Sequence, residues 1–296
     1  MLQTHAGLLF HHRRGGRRTQ RGLRLLSRSA YPHPEHVSWF KTLRVATLLL
    51  ILLVVALTTW LDHYRSTRWR QPLFVAIYPI AADESPVTRN YVDSLDGERF
   101  KAIDLFFARE AARYQLPTSE PIRSRLHPEL IALPPQRAAR AGIFSTVVWS
   151  LKLRYWAWNV SRQSREPEDV RMFVLFHDPA RSPTVPHSLG LTKGLIGVVY
   201  AFADPVMTGA NNVVIAHELL HTLGATDKYD PQDDAPRFPD GYGDPGQIPL
   251  FPQKYAELMA GRRMLGPNRW QQASSLDQVV VGPATALEIR WPQNAR

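Results

Sequence analysis

The chain has 296 residues, 44% of them apolar, no cysteine and a formal net charge of +10. That length supports one sizeable core, and the lack of thiols excludes disulfides and thiolate metal sites, leaving His, Asp and Glu as ligands, a set that suits Zn²⁺. The charge is local: residues 1–44 hold nine of the 36 basic side chains and one of the 26 acidic ones, so the tail carries +8 and the remainder +2, which argues against a nucleic-acid-binding domain.

Residues 1–42, rich in Arg, Gly and His and without hydrophobic periodicity, read as a disordered basic tail. Val45 to Leu61 follows without a charge, about 26 Å long as a helix and at the short end of a membrane span. Trp39 and Trp60 flank it as interfacial anchors would. A buried core helix is rarely apolar all round behind so basic a tail, and Val54–Thr58 offers only a poor site for signal cleavage. The expectation is a single-pass signal anchor over 43–61 in the cytoplasmic membrane, with the lipid bilayer as partner. Arginine excess keeps the N-terminus in the cytoplasm, and a linker over 62–71 leads to a periplasmic or extracellular domain, 72–296.

Leu73–Ile80 is a strand-length apolar run closed by Pro79. Glu98 to Gln115 reads as an amphipathic helix through Phe100, Ile103, Phe107 and Ala111, stopped by Pro117. Five prolines over 117–137 leave a loop with room for one strand. Ala138 to Val160 reads as a helix packed on a sheet, in preference to an exposed aromatic patch of Trp149, Tyr155, Trp156 and Trp158. Val170–His177 and Leu195–Phe202 are further strands, and Asn211 or Asn212 can cap the next helix. The loop 230–252 is rich in Pro, Gly and Asp. Its Asp230, Asp233, Asp234, Asp240 and Asp244 could bind Ca²⁺, but the spacing matches no EF-hand, so a solvated acidic loop is favoured. A last helix is expected near Leu276–Trp291, broken or restarted at Gly282-Pro283. This order is α/β within one domain of about 225 residues.

His217-Glu218-x-x-His221 is the motif that carries chemistry. On a helix the two histidines share one face and can converge on a Zn²⁺, with Glu218 placed beside the metal as general base. The surrounding Val213, Val214, Ile215, Leu219, Leu220 and Leu223 imply a buried helix. Ionisable groups buried there need partners, and a metal serves all three. Gly224 and Asp227 follow, Asp227 as candidate third ligand.

The stretch HELLHTLGATD has the form HExxHxxGxxD and resembles the metzincin clan of zinc metallopeptidases. An Asp in the third-ligand place, with Asp227-Lys228-Tyr229 after the turn, resembles the snapalysin-like variant. Tyr255-Ala256-Glu257-Leu258-Met259-Ala260-Gly261 looks like the clan's Met-turn. The resemblance covers residues 217–261 and implies a zincin domain with a twisted mixed sheet and an active-site helix. It further implies His217, His221 and Asp227 as metal ligands, Glu218 as base and Met259 as the floor of the site, with Leu195–Phe202 as the cleft's edge strand. Where some members carry an oxyanion-binding Tyr, this chain has Gly261, leaving Tyr229, Tyr242 and Tyr255 as substitutes. Glu257 competes as third ligand. His177 and His187 read as ordinary strand-end or loop residues, and Thr222 and the backbone near Asp227 as the groups that orient the ligands.

The implied activity is hydrolysis of a peptide or protein substrate by a zinc-activated water. The alternative is a non-catalytic, zinc-stabilised domain that binds peptides or wall components; such a module has no need of Glu218.

Overall fold

The computed structural model describes residues 39–66, 68–130, 132–136, 142–162, 164, 166–192 and 194–292, without the side chains of 58–66. The tail expected over 1–38 lies outside the described residues. Helix α1 (Trp39–Ser66) takes in residues 39–42 as well as the apolar run, and extends through the first half of the expected linker. Its segment Trp39–Leu57 is long and apolar enough to cross a membrane, at about 28 Å.

The elements that follow are β1 (Leu73–Ala81), α2 (Pro86–Asp93), α3 (Lys101–Arg113), β2 (Ile122–Leu126), α4 (Ile143–Ser161), β3 (Val170–His177), β4 (Leu189–Leu191), β5 (Ile196–Phe202) and α5 (Thr208–Thr222). After them come β6 (Ala256–Glu257), β7 (Arg262–Gly266), β8 (Arg269–Gln272), β9 (Val279–Val280) and α6 (Pro283–Glu288). The architecture is mixed α/β. Five strands form one sheet in the order β2-β1-β3-β5-β4, parallel except for β4, which runs antiparallel to β5.

The central strands are apolar on both sides because both faces are covered, as parallel strands require. On one face Val75, Ile77, Met172, Val174, Phe176, Val199 and Ala201 pack with α3 and α5 through Ile103, Phe107, Ile215 and Leu219. On the other, Ala76, Tyr78, Ile80, Phe173, Leu175, Ile196 and Val198 pack under α4 through Leu153 and Ala157, with Trp149 and Trp156 beside them.

Four expectations are corrected. Pro79 lies within β1 and does not close it: its carbonyl accepts from Leu130, so its N–H-less nitrogen faces the flank beyond the end of β2, where no ladder bond is lost. Leu195–Phe202 is not the edge strand. The three-residue β4 occupies the edge, with Gly190 opposite Gly197, and is too short and glycine-rich to show strand alternation. Asn211 and Asn212 lie inside α5 and do not cap it. A short 3-10 turn, Pro205–Met207, precedes the helix, capped by Asp204, whose Oδ1 accepts from Val206 N at 2.9 Å. The expected last helix is divided into a 3-10 turn at Leu276–Gln278, β9 and α6, because β9 pairs with β6.

Glu110 of α3 ties this C-terminal segment to the main body. It is buried and accepts from Val281 N at 2.9 Å and from Nε of Arg109 and Arg113 at 3.3 and 3.1 Å. The guanidiniums in turn donate to the carbonyls of Leu276, Val279 and Val281. Glu110→Ala leaves a buried N–H without its acceptor and two guanidiniums without their shared carboxylate. Because both arginines keep some solvent contact, the expected cost is about 2 kcal/mol rather than the 3–5 kcal/mol of a fully buried pair, read as a lowered midpoint in chemical denaturation.

Candidate metal centre

The last two turns of α5 carry His217, Glu218 and His221, and two side-chain amides set how the helix sits. Asn211 bonds both backbone groups of Phe202 at the end of β5, through Oδ1 at 3.2 Å and Nδ2 at 2.9 Å. Asn212 Nδ2 donates to Arg99 O at 2.7 Å. Beside the motif, Gly190 of β4 lies against the helix backbone, where an added Cβ would stand 2.5 Å from Glu218 O and 2.6 Å from His221 Cβ. Glycine is needed there for the close approach. Thr192 Oγ1 completes the contact by donating to His221 O at 3.0 Å.

The helix ends in a Schellman turn. Gly224 takes φ +106°, Gly224 N donates to His221 O at 3.1 Å and Ala225 N to Leu220 O at 3.0 Å. A side chain at that φ would be strained, and the reversal carries the chain back beside the motif.

Asp227 Oδ1 consequently lies 3.2 Å from His217 Nε2 and 3.1 Å from His221 Nε2, the two rings being 4.7 Å apart. Each imidazole turns its other nitrogen to a backbone carbonyl, His217 Nδ1 to Leu258 O at 3.0 Å and His221 Nδ1 to Ala225 O at 2.8 Å. Those contacts make Nδ1 of each ring the donor to the backbone and turn each Nε2 towards Asp227. Donor atoms of His217, Glu218 and His221 lie within 4.8 Å of one another, a group that could hold a metal ion. Asp227 is closer still to both imidazoles.

The closeness of these groups shifts their titration. Burial alone would raise the Asp227 carboxyl, but hydrogen bonds and charge from His217 and His221 outweigh it and hold it well below the carboxylate range. Burial alone would lower His221, but Asp227, Glu218 and the Ala225 carbonyl push it up. Glu218 is pushed up by burial, only partly offset by the two histidines, and its Oε2 is buried with no hydrogen-bond partner among the described residues.

The residue set fits a tetrahedral metal ion. Tetrahedral arms of about 2.0–2.1 Å separate neighbouring ligand atoms by roughly 3.3 Å, close to the contacts of Asp227 with the two imidazoles. Glu257 is committed elsewhere. Fully buried, it accepts from Ala260 N at 3.0 Å, Gly282 N at 3.1 Å and Thr285 Oγ1 at 2.7 Å, and so braces the turn after β6 from below. Met259, in that turn, is wholly buried in the core. Thr222 bonds Leu219 O within the helix and orients no ligand, a role taken by the carbonyls of Ala225 and Leu258.

A cleft of about 240 Å³ opens beside the motif, lined by His187, Tyr200, His217, Glu218, Tyr229 and Arg262 among others. His187 is thus a cleft residue, where the sequence suggested an ordinary loop position. His177 is not among its lining residues. Of the three candidate tyrosines only Tyr229 lines the cleft; Tyr242 packs between Phe238 and Phe251, and Tyr255 lies under Lys254. Burial, then Asp227 and Asp234, raise the Tyr229 hydroxyl. The loop acids serve the loop itself: Asp230, Asp233 and Asp244 accept from backbone N–H groups two residues on, and Asp234 pairs with Arg262 at 2.9 Å.

Glu288 of α6 was not singled out by the sequence. It accepts from Thr226 N at 2.9 Å, Thr226 Oγ1 at 2.7 Å and Lys228 Nζ at 2.7 Å, gripping the residues on either side of Asp227. Lys228 N adds a bond to Met259 O at 3.0 Å. Its signal lay in the fold alone, since 60 residues separate it from Lys228.

Compared with known proteins, the chain matches no family model and no curated protein.

Glu288→Gln keeps the shape of this grip and removes its charge. The expected result is metal affinity lower by about tenfold, with little loss of fold, since supporting groups of this kind typically contribute 10–100-fold. Competition against a chromophoric chelator measures it.

Proposed function

We propose that the protein is a membrane-anchored zinc metallopeptidase of metzincin type, in the HExxHxxGxxD variant. The observation that carries the reading is the convergence of His217 Nε2 and His221 Nε2 on Asp227 Oδ1 at 3.2 and 3.1 Å, beside a buried Glu218 oxygen that has no hydrogen-bond partner among the described residues. The mixed sheet with an antiparallel edge strand alongside the motif helix is compatible with it, as is an N-terminal helix able to cross a membrane. By the positive-inside rule the basic tail stays in the cytoplasm and the α/β domain lies outside.

Bound at these three ligands, zinc would lower the pKa of a coordinated water to about 7 and polarise a substrate carbonyl. Glu218 takes the water's proton on Oε2 and returns it to the leaving amine nitrogen. Burial raises the Glu218 carboxyl towards the working pH of such a base. Tyr229, whose raised pKa keeps its hydroxyl protonated, is a donor in the cleft for charge developing on the carbonyl oxygen. An extended substrate adds along β4, the sheet edge beside the motif, by main-chain hydrogen bonds.

The test is metal content and peptide hydrolysis of the purified chain. One zinc per chain and chelator-sensitive cleavage are expected, with Glu218→Gln keeping the metal and losing turnover by at least about 10²-fold. Zinc without cleavage of any peptide pool would overturn the enzyme in favour of a zinc-stabilised binding domain. A second comparison separates the two carboxylates. Asp227→Ala is expected to lose the metal, whereas Glu257→Gln is expected to retain it and to lower the unfolding midpoint, because it disturbs a buried hydrogen-bonded carboxylate.

A further inference from the structure

Helix α4 is apolar on two opposite faces. At about 100° per residue, Trp149, Leu153, Trp156, Ala157 and Val160 form one face, which packs on the sheet. Phe144, Val147, Leu151, Tyr155 and Trp158 fall within an arc of about 80° on the opposite side, and each is more than half exposed. Soluble surfaces seldom leave such a contiguous apolar stripe uncovered.

The stripe's surroundings indicate its occupant. Lys152 and Arg154 flank it on either side, the Arg162 guanidinium lies 5.7 Å over the Trp158 ring at its end, and residues 143–162 contain no acidic side chain. Trp and Tyr beside cations suit the boundary between lipid chains and anionic headgroups, where an acid would be repelled. The chain also supplies a bilayer. Only residues 67–72 separate the end of α1 from β1, about 22 Å at full extension, so the domain stays within reach of any membrane that α1 enters. Tethered in this way, the stripe would need little intrinsic affinity to dock.

We propose that the outer face of α4 lies in the headgroup region of that bilayer as an interfacial helix, its apolar stripe entering about 5–10 Å. This rests on the reading of α1 as an anchor.

Because the chain has no cysteine, single-cysteine variants report one position each. Full-length protein carrying Leu49→Cys, Leu151→Cys or Ile248→Cys is labelled with one polarity-sensitive fluorophore. Each is reconstituted in phosphatidylcholine–phosphatidylglycerol vesicles with or without lipid bearing a shallow acyl-chain nitroxide. Position 248 is a control on an exposed loop. Labels at 49 and 151 are expected to be quenched several-fold more than the label at 248, with blue-shifted emission at 151. Quenching at 49 but not at 151 overturns the docking and leaves the anchor standing. Absence of quenching at 49 removes the anchor and the docking with it. A label at 151 shielded from aqueous iodide yet untouched by the lipid nitroxide means that protein covers the stripe, which also overturns the proposal.

Discussion

Three lone pairs aimed at one point govern this structure. With Nδ1 of each histidine committed to a carbonyl, each Nε2 faces Asp227 Oδ1 at little over 3 Å. Such a set is repulsive unless a cation joins it, and in a partly buried site the repulsion is only weakly screened. A proton can serve, which is why His221 is driven up and Asp227 down. A divalent metal serves all three at once. Glu218 gains only partial relief from the histidines, so burial leaves its carboxyl raised and one oxygen without a hydrogen-bond partner among the described residues.

Holding three acceptors together requires opposition to their repulsion from elsewhere in the fold, and the supports come from segments far apart in the chain. The Schellman turn at Gly224 reverses the backbone so that Ala225 and Asp227 return to the motif. Glu288 grips both neighbours of Asp227 from α6. The turn after β6, braced by Glu257, delivers the Leu258 carbonyl to His217. Asn211, Asn212 and the bare backbone at Gly190 set the helix against β5, the turn before α3, and β4. The C-terminal segment therefore completes the centre, and Glu110 holds that segment to the main body.

Legibility in the sequence followed the range of each interaction. The i, i+4 histidines, the helix-ending glycine and Asp227 three residues later depend on local geometry, and the structure brings those side chains together. The long apolar runs of β1, β3 and β5 were readable because parallel strands buried on both faces need no alternation. β4 was missed because three residues with a central glycine carry no period. The role of Glu257 was ambiguous because a carboxylate near a motif can ligate or brace, and only its three donors decide. Glu288 and the two orienting carbonyls were beyond reach: backbone groups have no residue identity, and a contact across 60 positions leaves no local pattern.

Helix α4 shows the converse limit. Its sequence reads as apolar on two sides, with Ser145, Lys152 and Asn159 along one seam between them, which suits a helix with two apolar partners. The sheet accounts for one face only. What distinguishes α4 from α1 is the pair Lys152 and Arg154, which interrupt its apolar run at its flanks. In a spanning helix such interruptions would be costly, and in a buried one unpaired cations would be worse. In a helix lying along a membrane surface an exposed cation such as Lys152 sits level with the headgroups while the stripe beside it faces the lipid chains. The same side chains that exclude α4 from crossing a bilayer are those that suit it to rest on one.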